Sequence, residues 1–168
     1  MMRAGFSKTV LFALLLLVLV PVQSSSQDDR FLKRLQGDWE GEGQAFGGPA
    51  RLRIKWEWVL DNKFLRLSLK SEMSAANEKS RVFEGQAYYR PDGGDKYIAH
   101  WFDSRGVTFP IKAQLDRDTL VAWWGSAETE EGKSTYQLID DSTLEVVDSV
   151  KQKDGTFREF AKARLKRI

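Results

Sequence analysis

Residues 51–58, Arg-Leu-Arg-Ile-Lys-Trp-Glu-Trp, alternate between charge and bulk without a break. Leu52, Ile54, Trp56 and Trp58 share one face; Arg51, Arg53, Lys55 and Glu57 share the other. A period of two with that contrast is a half-buried β-strand whose charged face meets water. Asp61-Asn62 is a turn signal, and Leu65, Leu67 and Leu69 against Arg66, Ser68 and Lys70 repeat the alternation beyond it. Further turn signals stand at Pro91-Asp92-Gly93-Gly94, Asp116-Arg117-Asp118, Glu130-Glu131-Gly132, Asp140-Asp141 and Asp154-Gly155. The spacing predicts ten strands, at about 37–46, 49–60, 63–73, 80–90, 95–103, 106–115, 119–125, 133–139, 143–152 and 156–166.

One segment departs from this pattern. Between Asp28 and Gln36, Phe31, Leu32 and Leu35 fall on one helical face, Asp28 or Asp29 can cap the start, and Gly37 ends it. Such a short helix does not stand alone, so it is expected to lie against the strands. Many strands joined by short turns, with no helices between them, make an antiparallel meander. Closing the meander on itself removes its exposed edges. The fold class expected is all-β: a single closed or nearly closed up-and-down barrel of about ten strands with a short N-terminal helix.

The first residues carry processing information. Arg3 and Lys8 precede an unbroken apolar run, Val10 to Val20, and Pro21 and the small residues around Ser24-Ser25-Ser26 follow it. That order is a signal peptide over 1–26, leaving 27–168 as the barrel. The run falls short of the roughly 20 residues a spanning helix needs, so no stable membrane anchor is expected after cleavage. No cysteine follows the run, which excludes a lipid anchor at that boundary. A secreted or periplasmic location is expected.

Charge changes meaning once the leader is gone. The chain has 26 basic and 24 acidic side chains, and Arg3 and Lys8 leave with the leader, so 26 − 2 = 24 basic groups face 24 acids. A balanced surface is no footprint for nucleic acid. With no cysteine and one histidine, disulfides and a multi-histidine zinc site are excluded. There is no calcium loop, nucleophile elbow, phosphate loop or dinucleotide fingerprint.

The segment Leu35-Gln36-Gly37-Asp38-Trp39-Glu40-Gly41-Glu42-Gly43 resembles the opening of lipocalins and the wider calycin group. Its longer form, Gly-x-Trp-x-Gly-x-Gly, is similar to nitrobindin-type haem-binding barrels and to a set of bacterial secreted lipocalin-like domains without an assigned function. Residues 56–65, Phe83-Glu84-Gly85 and His100-Trp101-Phe102-Asp103 look like that last set. The resemblance implies that Trp39 plugs the closed end under a basic side chain of the last strand, with Arg158 and Arg164 as candidates. It also implies haem held by one histidine near the C-terminus. Thr143 to Leu165 contain no histidine, so no cofactor is expected. Haem held instead by His100, Tyr89 or Tyr136 would need a coincidence of orientation and space.

Fold resemblance does not transfer a function, so the candidate site comes from the inward face. Trp56, Trp58, Tyr89, Phe109 and Trp124 are candidate walls for a small apolar or amphipathic ligand. Asp148 follows Leu144 and Val146 at the same parity, and Glu159 lies between Phe157 and Ala161, which places both acids inward. Around His100 the alternation admits either facing. Trp123-Trp124 puts one ring outside. Three readings follow: a non-enzymatic binding barrel; an acid–base enzyme using Glu159 or Asp148 with His100, which requires at least two of those groups to converge; and a filled barrel that serves as a structural or interaction module. The inward pattern is the same for a packed core and a hollow one.

Overall fold

Alternation places ten strands, and ten strands form. The computed structural model describes residues 26–74 and 80–168. The strands are β1 (Gly37–Ala45), β2 (Gly48–Val59), β3 (Phe64–Met73), β4 (Arg81–Pro91), β5 (Lys96–Asp103), β6 (Thr108–Asp116), β7 (Thr119–Trp124), β8 (Gly132–Asp140), β9 (Thr143–Lys151) and β10 (Phe157–Arg167), preceded by α1 (Ser26–Leu35). Each strand pairs antiparallel with the next, and β10 returns to β1, so the barrel closes. Leu60, Asp61, Asn62 and Arg117 hold positive φ in two of the hairpins, where asparagine and aspartate are at least tolerated. The leader over 1–26 falls outside the described residues except for Ser26. No helix among the described residues is long and apolar enough to cross a membrane.

Closure brings β1 and β10 unusually near each other. A methyl group added at Gly41 would lie 2.1 Å from the Arg164 carbonyl oxygen, and one at Gly43 would lie 2.0 Å from that of Lys162. Both glycines therefore serve close backbone approach at the seam.

The helix corks one end of the barrel. Phe31, Leu32 and Leu35 are buried, as their spacing predicts. Trp39 is fully buried beneath them and its Nε1 donates to the Leu35 carbonyl at 2.9 Å. The basic side chain stacked on it is Arg167, with the guanidinium 4.1 Å from the ring centroid. Neither expected partner is there. Arg158 stands at the opposite end of β10, and Arg164 points outward to Glu145 at 3.3 Å. Arg167 also donates to the carbonyls of Gln36 at 2.6 Å, Asp141 at 3.0 Å and Arg34. Arg34 in turn bridges Asp118 at 2.5 Å and Asp141 at 2.7 Å, tying the helix to two hairpins.

A bulge near the start of β10 changes one expected facing. Glu159 pairs with Ser149 and Ala161 with Asp148, so Phe160 is an extra residue. An extra residue reverses the alternation on one side of it. Glu159 consequently lies outside and exposed, not beside Asp148 on the inner face.

Candidate functional site

The two ends of the barrel differ in filling. At the corked end Trp39, Ile54, Leu67, Leu120, Leu144 and Leu165 pack without exposure to solvent. Towards the other end the interior opens into a cavity of about 400 Å³. Tyr89 and Tyr136 form its floor, with Trp56 packed against them at ring-centroid distances of 5.4 and 5.2 Å. Trp56 Nε1 is buried there with no acceptor among the described residues.

Aromatic rings make the walls, and glycines make room for them. Phe109 and Trp124 lie 5.5 Å apart, and Phe83 and Trp101 lie 6.2 Å apart. A methyl group at Gly85 would come within 2.0 Å of Trp101, and one at Gly132 within 2.1 Å of Trp124. Each indole is thus laid against a strand glycine instead of filling the barrel. At the rim Phe46 stacks on Phe160 at 5.0 Å.

Two carboxylates in this region have opposite environments. Asp148, on β9, accepts a hydrogen bond from Ser134 Oγ at 2.5 Å. It touches solvent only in part, through the cavity. Loss of hydration pushes its carboxyl up to about 6, against the opposing effect of the Ser134 hydroxyl. The same burial raises the Tyr89 and Tyr136 phenols, so both stay protonated beside it. Asp103 is also desolvated, but Arg105 and the Trp101 indole outweigh that and hold it below the usual carboxylate range. Arg105 Nη2 lies 2.8 Å and Trp101 Nε1 3.0 Å from Asp103. This pair fixes Arg105 over the Phe83 ring at 5.5 Å, on the cavity wall.

The expected site residues separate into groups. Tyr89, Phe109, Trp124 and Asp148 line the cavity. Trp56 underlies its floor. Trp58 has the expected facing but lies towards the corked end, near the β2–β3 hairpin, so it forms no wall. His100 is exposed on the outer face, paired with Tyr88 and Pro110 while Tyr97 and Ala99 turn inward. With Glu159 and His100 both outside, the three groups of the acid–base reading do not converge. Trp123 is the outward ring of its pair, at 42% exposure. Arg105, Arg158, Ser134 and Phe160 line the cavity without having been singled out from the sequence as candidates for the site.

The chain's one imidazole is outside the barrel, and the cavity's two phenols are held protonated by burial. No group of metal-ligating side chains occurs among the described residues. A second hollow, of about 700 Å³, lies against the outer face and takes in Arg53, Lys55, Lys70, Glu84 and the exposed Phe102. It is a surface groove, not an enclosure.

The whole barrel takes part in the comparison with known folds. Over 87% of this chain and 99% of the other, the structure matches that of Rv2717c from M. tuberculosis, with a TM-score of 0.64 and 14% identity. The shared fold is a closed antiparallel barrel. The structure also matches the S-type phycobiliprotein lyase CPES from Guillardia theta, at a TM-score of 0.59 and 11% identity over 83% and 92% of the two chains. At these identities the likeness is one of fold. No family model and no curated protein sequence matches the chain.

Proposed function

We propose that this protein is an exported, non-enzymatic barrel that binds a small apolar or amphipathic molecule in its open-end cavity. The observation that carries the reading is the half-hollow interior: aromatic walls enclose about 400 Å³, with a few fixed polar groups inside. Concave, mostly apolar sites with sparse polar groups are the usual form of small-molecule pockets. A barrel selected only for stability would fill that space, since interiors pack densely and voids destabilise. The lipocalin-like architecture supports the same reading. The leader-like start of the chain supports action in the periplasm or outside the cell.

The test is occupancy. Native mass spectrometry of protein purified from its own host is expected to show a bound small molecule. A neutral polarity-sensitive dye such as N-phenyl-1-naphthylamine is expected to bind saturably and to be displaced by that molecule. Ala122 is buried on the cavity wall, so Ala122→Phe should occupy the space from within. It should weaken binding at least tenfold while the far-ultraviolet circular dichroism keeps its β form. Full binding by a folded Ala122→Phe variant would show that the cavity is not the site.

A further inference from the structure

We propose that the guest is a monocation, an apolar or aromatic body whose protonated nitrogen pairs with Asp148. This rests on the ligand-binding reading above and adds the charge of the ligand and its orientation, with the nitrogen directed inward. The deep cavity presents a carboxylate with one neutral donor, Ser134 Oγ, on it. No lysine or arginine forms an ion pair with Asp148 among the described residues. Arg105 is already committed to Asp103 at 2.8 Å. Arg158 pairs with Val150, further towards the mouth than Asp148.

A carboxylate among apolar walls is unfavourable without a partner of opposite charge. A cationic guest removes that cost; a neutral one leaves it, and an anionic one adds repulsion in a poorly screened interior. The walls favour the same sign. Tyr89, Tyr136, Trp101, Phe109 and Trp124 surround the space with rings, and ring faces attract cations, most strongly when the cation is desolvated.

The titratable groups that line the cavity with Asp148 can be named element by element. Tyr136 comes from β8, Arg158 and Lys162 from β10 and Tyr89 from β4, with Lys162 committed to Glu145 at 3.2 Å, while Arg105 and Glu130 stand on the flanking loops. The Tyr89 and Tyr136 phenols and the Arg105 guanidinium, all raised, keep their protons throughout the range in which Asp148 titrates. Affinity for a cation should therefore be full above pH 7. It should fall about tenfold per pH unit as the carboxyl takes up its proton below about 6.

Three matched probes test the proposal: 1-naphthylmethylamine, 1-naphthylmethanol and 1-naphthoic acid, titrated calorimetrically into the intact folded protein at pH 7.5. The amine is expected to bind at least tenfold more tightly than the alcohol, with the acid weakest. Asp148→Asn should erase the preference for the amine and leave the alcohol bound; Asp148→Glu should keep part of it. Circular dichroism establishes that both variants are folded. Equal binding of the three probes, or a preference for the acid, overturns the charge assignment and leaves the binding reading standing. An amine preference that survives in Asp148→Asn overturns the assignment to Asp148. If no probe binds and no molecule co-purifies from the host, both readings fall.

Discussion

Replacing Trp39 with alanine is expected to cost the barrel about 3–5 kcal/mol, the usual penalty for emptying a large aromatic site in a core. The residue has no solvent exposure, and its neighbours are held from several directions. Its indole nitrogen satisfies the carbonyl of Leu35, so truncation also leaves that acceptor without its donor. The ring is, in addition, the surface on which Arg167 lies. Urea unfolding should show the loss as a lower midpoint with little change in slope. Arg167→Ala should also destabilise strongly, because the guanidinium serves three backbone carbonyls as well as the ring. Arg167→Lys should restore only part, since an ammonium lacks the planar fork. A double-mutant cycle between Trp39 and Arg167 should give a coupling of about 1–2 kcal/mol. Trp123→Ala, on the outer surface, is the matched control and should cost less than about 1 kcal/mol. Equal effects of Trp39→Ala and Trp123→Ala would refute the cork.

Asp148→Asn is expected to make the empty barrel more stable at neutral pH and to lose that advantage in acid. The folded carboxyl sits at about 6, whereas an unfolded aspartate titrates near 3.9. A pKa raised on folding means that the native state binds the proton more tightly, so ionisation destabilises it. The cost is fully present above about pH 6, shrinks as pH falls towards 4, and is gone below that. A gap of about two pH units corresponds to about 3 kcal/mol, so Asp148→Asn should gain about 2–3 kcal/mol at pH 7.5 and almost nothing at pH 4. Asparagine can keep the Ser134 hydrogen bond, so the difference isolates the charge. Chemical denaturation of both proteins across this range measures it. A variant less stable than the parent at pH 7.5 would show that the carboxylate is compensated by something else. A gain would mean that the native residue is retained against stability, as recognition residues often are.

Periodicity carried the fold and failed at particular residues for identifiable reasons. Wherever a strand alternates cleanly, as at Leu52, Ile54 and Trp56, both its existence and its facing were legible. Asp148 was found because it interrupts an apolar series begun by Leu144 and Val146. The same reasoning misplaced Glu159, since a bulge at Phe160 resets the alternation and leaves no mark in the pattern of polarity. Trp58 shows a different limit: parity tells inside from outside but not one end of the barrel from the other. At His100 the neighbours on both parities are apolar, so the strand offered no contrast to read. Arg105 escaped because it lies in a turn, where its position depends on the Asp103 carboxylate. Gly85 and Gly132 did carry a signal, glycines within strand patterns, whose meaning appeared only when each was found beneath a tryptophan.

The extra residue in β10 makes this strand tolerant of one kind of genetic change. Loss of a codon within a paired strand ordinarily turns every side chain beyond it to the opposite face. Loss of Phe160 alone would leave Glu159 against Ser149 and Ala161 against Asp148, the pairings they already have. The frame of the strand would survive, and what would disappear is the ring stacked on Phe46 at the rim together with the Phe160 carbonyl, which accepts from the Phe46 N–H at 2.7 Å. An in-frame deletion at this codon is therefore a route by which descendants of the chain could widen the entrance, with one hydrogen bond lost at the rim end of the seam between first and last strands.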